Sequence, residues 1–217
     1  QKPKFWENTS NFNLIAVVLL PISYIIKILF FFKKKLQKAE KFKIPIICIG
    51  NIYIGGTGKT PLSIELFRLL KKVYKKPIFI KKYYSNHEDE VMLLKKIGPV
   101  YEKRTRSQGI KEAISNKADV AILDDGFQDY SVKKNLSIIC FSEKQWIGNG
   151  YTIPSGPLRE KLTVLKKVKC VMINGKKNTK IEKIIFKINK KIKIFYTLYR
   201  AKNIKKFKKR KIISFAG

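Results

Sequence analysis

The sequence predicts an α/β fold: a mainly parallel sheet with helices on both faces, preceded by a hydrophobic, membrane-associated N-terminal helix. Three observations carry this expectation. From residue 44 onward, short β-branched apolar runs alternate with segments of helical periodicity, the pattern of strands joined by crossover helices. A glycine-rich stretch sits at the first strand-to-helix junction. Residues 14–32, LIAVVLLPISYIIKILFFF, form the most apolar stretch of the chain.

In chain order, that apolar stretch comes first. As one helix it would run roughly 28 Å at about 1.5 Å per residue, near the thickness of a bilayer core. Phe5 and Trp6 precede it, and Lys33, Lys34 and Lys35 follow directly. No small-residue cleavage site follows, which argues against a signal peptide. Lys27 inside the run and a kink expected at Pro21 favour a helix lying in the membrane interface over a full span. A core helix of the soluble part is the remaining alternative.

Ile44-Pro45-Ile46-Ile47-Cys48-Ile49 is too short for a helix and β-branched, so it reads as a buried strand. After the glycines, residues 61–70 have helical spacing, with Pro61 in the first turn where a missing N–H costs nothing. Residues 77–80 read as a strand, 84–88 as a polar turn, and 90–97 and 107–116 as helices. The apolar run Val120-Ala121-Ile122-Leu123 is a strand ending in Asp124 and Asp125. Further strands are expected at residues 136–141, 168–173, 192–198 and 211–215, with a helix at about 180–188. Residues 147–160 are rich in turn formers and read as an ordered loop entering a helix at Leu158. The organisation expected is a membrane-associated helix over residues 1–36, a nucleotide-binding core over 37–200, and the start of a second lobe from 201 to 217.

The chain has 217 residues, 48 of them Lys or Arg against 15 Asp or Glu, for a net charge of +33. That charge fits an anionic partner such as an acidic membrane or a nucleic acid. It equally fits a compositional bias, because Lys is spread along the whole chain. Arg is scarce, which counts against base readout, and no DNA- or RNA-binding motif is visible, so no nucleic-acid partner is expected. Cys48, Cys140 and Cys170 are far apart in apolar runs and read as reduced core residues. His87, the only histidine, reads as a polar surface residue.

The chemistry is concentrated in a few places. Strand, glycine-rich loop, Gly58-Lys59-Thr60 and helix make the context of a phosphate-binding P-loop, so the sheet is expected to be P-loop NTPase-like. Tyr53, Ile54, Gly55, Gly56, Thr57, Gly58, Lys59 and Thr60 are the candidate nucleotide-binding residues. Their backbone N–H groups and the helix N-terminus would cradle phosphates. Tyr53 stands where this motif usually opens on glycine. Lys59 would reach the β- and γ-phosphates, and the Thr60 hydroxyl would bind Mg²⁺. Asp124 and Asp125 end a Walker B-like strand at the same sheet edge and are the remaining Mg²⁺ candidates. Two adjacent carboxylates need a cation nearby. His87-Glu88-Asp89-Glu90 is the one dense acidic cluster, and Asp89 and Glu90 are candidates to receive or orient a substrate hydroxyl. An acidic first helical turn accounts for them equally well. Arg159 could meet a phosphate.

These motifs together resemble the tetraacyldisaccharide 4′-kinase family of lipid A biosynthesis. The resemblance rests on Phe5-Trp6 before the hydrophobic helix, Gly50-Asn51 ahead of Gly55-Gly56-Thr57-Gly58-Lys59-Thr60-Pro61, and Asp89-Glu90 with Leu93-Leu94. It continues through Asp124-Asp125-Gly126-Phe127-Gln128, Gly148-Asn149-Gly150 and Pro154-Ser155-Gly156-Pro157-Leu158-Arg159-Glu160. It implies a kinase that moves the γ-phosphoryl of ATP, with Mg²⁺, to the 4′-hydroxyl of an acylated disaccharide 1-phosphate. It further implies that Asp89 is the partner of the substrate hydroxyl beside Glu90, that Lys59 is catalytic, and that Thr60, Asp124 and Asp125 hold the metal. The expected location is the cytoplasmic face of the inner membrane, bound monotopically. The chain departs from the family pattern at Lys81-Lys82-Tyr83-Tyr84-Ser85, where a Gly-rich segment is usual, and at Asp129, where histidine is usual. The family also continues past Gly217 into a lobe that carries a further histidine, so the chain reads as truncated at its C-terminus. The alternative reading is a membrane-associated regulatory P-loop NTPase. Such proteins carry a second lysine at the start of the loop, where this chain has Ile54.

Overall fold

The computed structural model describes residues 2–7, 13–73, 76–84 and 88–198. His87 and the strand expected at 211–215 lie outside the described residues. Among the described residues, seven strands form one sheet in the order β3-β2-β4-β1-β5-β6-β7, and every pairing among them is parallel. The strands are β1 (Ile46–Gly50), β2 (Pro77–Lys82), β3 (Val100–Lys103), β4 (Val120–Asp124), β5 (Leu136–Ser142), β6 (Cys170–Asn174) and β7 (Lys193–Thr197). The helices are α1 (Leu14–Val18), α2 (Leu20–Leu36), α3 (Lys59–Lys72), α4 (Glu88–Lys95), α5 (Arg106–Ser115) and α6 (Thr179–Ile188).

Both faces of the sheet are covered, as the alternation of side chains requires. On β4, Ala121 and Leu123 enter one apolar cluster and Ile122 the other. On β5, Ile139 and Phe141 divide from Ile138 and Cys140 in the same way. The first cluster also takes Ile110 and Ala113 of α5 and Ile181 and Ile185 of α6, while the second takes Phe67 of α3 and Leu94 of α4. A strand buried on both faces reads as a continuous apolar run, which is why β1, β2 and β4 are visible in the sequence.

Three local expectations are corrected. The N-terminal stretch is two helices, with Leu19 between them, and Pro21 lies in the first turn of α2. That is a position proline tolerates, so it starts a helix and does not kink one. No helix among the described residues is long and apolar enough to cross a membrane. Leu158 does not open a helix. It bridges both Tyr53 and Thr152 in extended backbone, and the next helical turn, of 3-10 type, begins at Leu162. The short strand β3 was not expected, because all four of its residues are only half-buried and two are charged.

The N-terminal segment is fastened to the core by the turn-rich loop. Trp6 Nε1 donates to the Pro154 carbonyl at 3.0 Å, and Asn149 donates from its backbone to Trp6 and from its side chain to Phe5. One turn into α2, buried Ser23 donates to the Thr152 carbonyl (3.0 Å) and accepts from the Ser155 N–H (3.1 Å). Around this anchor the helices expose a broad apolar surface that includes Leu14, Ile25, Leu29, Phe31 and Leu36.

Candidate active site

β1 delivers the chain to the sheet's C-terminal edge, where the order of strands reverses between β1 and β4, the usual ligand crevice of such sheets. Gly50 ends β1 because a side chain there would put its Cβ 2.5 Å from Phe127 Cβ. Asn51 then braces the loop from inside. Its Nδ2 donates to the Gly55 carbonyl and to Thr57 Oγ1, both at 3.1 Å, and its own carbonyl accepts from Gln128 Nε2 at 2.8 Å. Gly58 caps α3 with φ +87°, a left-handed conformation that glycine adopts without strain. Helices α1, α5 and α6 are capped by Asn13, Thr105 and Asn178, but α3 has no side-chain cap. No side chain of a cap therefore competes with an anion for its first-turn N–H groups.

A cleft of about 260 Å³ opens at this terminus, lined by residues 56–61, Glu90 of α4 and Asn174 at the end of β6. Of the predicted phosphate-binding residues, Gly56, Thr57, Gly58, Lys59 and Thr60 line it. Tyr53, Ile54 and Gly55 do not. The Tyr53 side chain is 1% exposed and packs in the core. The Ile54 N–H is already given to the Pro157 carbonyl at 2.9 Å, and the Gly55 carbonyl serves Asn51. The loop's first half is thus committed to the fold, and the part that lines the cleft begins at Gly56. Asn174 lines the cleft with no signal in the sequence beyond its place at a strand end.

The candidate metal ligands sit next to the cleft in a balanced ionic network. Asp124, 1% exposed, accepts from buried Ser63 Oγ at 2.8 Å through Oδ1. Its Oδ2 accepts no hydrogen bond and lies 3.4 Å from Lys81 Nζ. Burial pushes the Asp124 carboxyl above the ordinary aspartate range, with Lys81 and Ser63 opposing that shift. Asp125, at φ +50°, is held by Arg159 Nη1 at 3.2 Å and faces Lys59 Nζ at 4.0 Å. Arg106, itself buried, donates to the Asp125 carbonyl (2.8 Å) and to Asp129 (2.9 Å). Although burial alone would raise Asp129, the Ser131 hydroxyl and Arg106 keep its carboxyl below the ordinary range. Asp129 therefore serves as the counter-ion of Arg106.

Asp89 and Glu90 part company. Neighbouring helical residues point about 100° apart; Glu90 turns into the cleft and pairs with Lys81, whereas Asp89 is exposed on the first turn of α4 and does not line it. Lys81, 5% exposed at the end of β2, is the charged residue that sequence reasoning missed. The signal at this strand was a pair of lysines ending an otherwise apolar run, hidden among lysines everywhere else.

The donor set suits a hard cation. Asp124 offers an oxygen without a hydrogen bond, and Asp125 and the Thr60 hydroxyl offer further oxygens of the kind Mg²⁺ prefers. Among the described residues no group of three or more His, Cys, Asp or Glu could hold a metal by itself. Mg²⁺ held here would need phosphate oxygens to complete its shell.

An all-parallel sheet with a glycine-rich loop, an uncapped helix carrying Gly-Lys-Thr, and an acid-tipped neighbouring strand defines a P-loop NTPase-like protein. Its sequence matches the family described as tetraacyldisaccharide-1-P 4′-kinase (LpxK) over residues 15–217, and the chain belongs to that family. It is 43% identical to the tetraacyldisaccharide 4′-kinase of Pelagibacter ubique over 211 residues, 96% of this chain and 67% of that one. It is 34% identical to the corresponding protein of Paramagnetospirillum magneticum over 177 residues, 73% of this chain and 53% of that one. Among solved structures it is similar to LpxK from Aquifex aeolicus in complex with ATP, with TM-score 0.63 and 26% identity over 74% of this chain and 59% of that one. The chain thus spans from about half to two thirds of the length of these relatives.

Proposed function

We propose that the protein to which this chain belongs transfers the γ-phosphoryl group of ATP to the 4′-hydroxyl of a tetraacyldisaccharide 1-phosphate. The observation that carries this reading is the uncapped α3 terminus, with Gly58 left-handed and Lys59 facing Asp125, in a chain of the 4′-kinase family. The solved relative bound to ATP supports ATP as the donor.

In this reading the main-chain N–H groups from Gly56 onward bind phosphate oxygens, and Lys59 leaves Asp125 for the β- and γ-phosphates. Thr60, Asp124 and Asp125 hold Mg²⁺, which would neutralise charge on the transferring phosphoryl group. Glu90, already in the cleft, orients the acceptor hydroxyl or its proton. Asp89 takes that proton once the first turn of α4 is drawn toward the substrate. Residues 37–200 form the nucleotide-binding core, and residues 1–36 the membrane-associated unit. The exposed apolar surface of α1 and α2, closed by Lys33, Lys34 and Lys35, favours an interfacial position on the cytoplasmic face of the inner membrane. That placement brings an acylated acceptor to the cleft without extracting its chains from lipid.

Replacing Lys59 by Ala in the full-length protein is expected to lower phosphoryl transfer by roughly 10²–10³-fold, the scale of losing one transition-state charge contact. Transfer is followed with γ-labelled ATP and the disaccharide acceptor in detergent micelles. A rate within about twofold of wild type would overturn the assignment, since that is far below the loss such contacts carry.

A further inference from the structure

The carboxylates around the cleft are matched by cations of this chain. Glu90 and Asp124 meet Lys81, and Asp125 meets Lys59 and Arg159. Among the described residues, these pairings set three acids against three bases. Lys59 and Arg159 are partly open to solvent, whereas Lys81 is 5% exposed. The register sets its place: Ile80 pairs with Leu123, so the next residue on β2 stands beside Asp124 on β4. On its other side, the first turn of α4 supplies Glu90. Burying an ammonium costs several kcal/mol unless it is paired and hydrogen-bonded, so a lysine here persists only as part of this ionic cluster.

We propose that Lys81 is a built-in cation of the phosphoryl-transfer site, occupying the space between Glu90 and Asp124 so that a divalent ion enters only together with a triphosphate. This rests on reading the cleft as a nucleotide site and goes beyond it by assigning the order of binding. Two neighbouring carboxylates with no cation between them attract a hard divalent ion, which completes its shell with water. A fixed ammonium between them lowers that affinity, because it offsets one of their two charges and repels a second cation at short range. A bound triphosphate adds new negative charge and new oxygen ligands on the side away from Lys81. The metal then has a reason to bind, and it binds where the phosphates are. Lys81 is in this sense a positioning residue: it keeps Glu90 turned toward the cleft and confines the metal to the phosphate side of Asp124.

The test uses the full-length protein and Mn²⁺ as a paramagnetic probe of the Mg²⁺ site. Protein-bound ion is taken as the excess Mn²⁺ on the protein side after equilibrium dialysis against the same Mn²⁺ and ATP, because ATP alone also binds Mn²⁺. It is quantified by electron paramagnetic resonance after acid release. Without nucleotide, wild type is expected to bind Mn²⁺ weakly, and ATP to bring the ion in. In Lys81→Gln, which keeps a hydrogen-bond donor but removes the charge, Mn²⁺ affinity without nucleotide is expected to rise at least ~10-fold from relief of one close repulsion. In Lys81→Gln/Glu90→Gln that gain is expected to disappear. Wild type that fails to bind Mn²⁺ with ATP would remove the nucleotide-site reading itself. Wild type that binds it with ATP, beside a Lys81→Gln variant of unchanged metal-alone affinity, would leave that reading standing and overturn the role of Lys81. If Lys81→Gln folds poorly, its unfolding midpoint is followed against Mg²⁺ and against K⁺ at matched ionic strength. Selective rescue by Mg²⁺ supports the proposal, and equal or no rescue overturns it.

Discussion

Ser63 offers the cleanest measure of what holds the acid-tipped strand in place. It is fully buried on the first turns of α3, and its Oγ makes a 2.8 Å hydrogen bond to Asp124 Oδ1. The other oxygen, Oδ2, accepts no hydrogen bond and has only the Lys81 ammonium at 3.4 Å. Replacing Ser63 by Ala therefore leaves a buried carboxylate without a hydrogen-bond donor. Hydrogen bonds to charged groups contribute about 1.5–3 kcal/mol, and the unsatisfied partner takes the full desolvation penalty. A loss of about 2 kcal/mol corresponds to a fall in thermal midpoint of about 4–8 °C for a chain of this size. The pH dependence gives a second check. Burial raises the folded-state pKa of Asp124 above its unfolded value, so its contribution to stability is present at acid pH and is lost as pH rises through the folded pKa. Loss of the Ser63 bond raises that pKa further. The difference between wild type and Ser63→Ala should therefore be largest at neutral pH and shrink as the buffer is made acidic. Thermal and denaturant unfolding of both proteins across that range measures it. A difference that is negligible at neutral pH, or that grows on acidification, would refute the reasoning.

Gly50→Ala is expected to cost about 1–3 kcal/mol by overpacking, because the new Cβ would stand 2.5 Å from Phe127 Cβ and 3.2 Å from its backbone nitrogen. Moving Phe127 also moves Gln128, which holds the Asn51 carbonyl, so ATP affinity should fall along with stability. Denaturant unfolding and equilibrium ATP binding check this, and an unchanged protein in both would contradict the packing argument. Burial pushes the Cys48 thiol up to about 11 and Cys140 up to about 12, and it also raises half-buried Cys170. A thiol-specific reagent at mildly alkaline pH should label Cys170 first and reach Cys48 and Cys140 only on unfolding. Rapid labelling of all three in the folded protein would count against the core placement.

Much of this architecture was legible because its signals are local. A strand buried on both faces must be an apolar run, and a phosphate loop must be rich in glycine, so β1, β4 and residues 55–60 declare themselves. Local signals fail where the deciding contact comes from far along the chain. Leu158 opens no helix because Tyr53 and Thr152 take it as a bridge partner. Tyr53 and Ile54 look like loop residues that face a nucleotide, yet one is drawn into the core and the other gives its N–H to Pro157. Lys81 looks like one more lysine until β4 and α4 place Asp124 and Glu90 around it. Composition hides such residues: in a chain with 48 basic side chains, a structurally committed lysine has no distinguishing mark.

The turn-rich segment between β5 and β6 is best understood as a mechanical link. At one end Asn149 and Ser155 hold Phe5, Trp6 and Ser23, fixing the start of the apolar helices. At the other end the Arg159 N–H donates to the Ile52 carbonyl, and the Arg159 guanidinium grips Asp125. Glu160 accepts from the Tyr130 hydroxyl at 2.7 Å, and the Tyr130 ring lies under Lys34 Nζ at 4.0 Å, near the far end of α2. Helix α2 is thus tied twice to the same short stretch of chain, which also sets one of the two carboxylates beside the phosphate loop. In the membrane-associated arrangement proposed above, an apolar surface on lipid and a cleft holding charge in fixed positions would drift apart if joined only by a flexible tether. Hydrogen bonds from Ser23 at one end of α2, and the Lys34 contact with the Tyr130 ring that Glu160 holds at the other, remove that freedom, and they account for why so polar a segment packs against the most apolar part of the molecule.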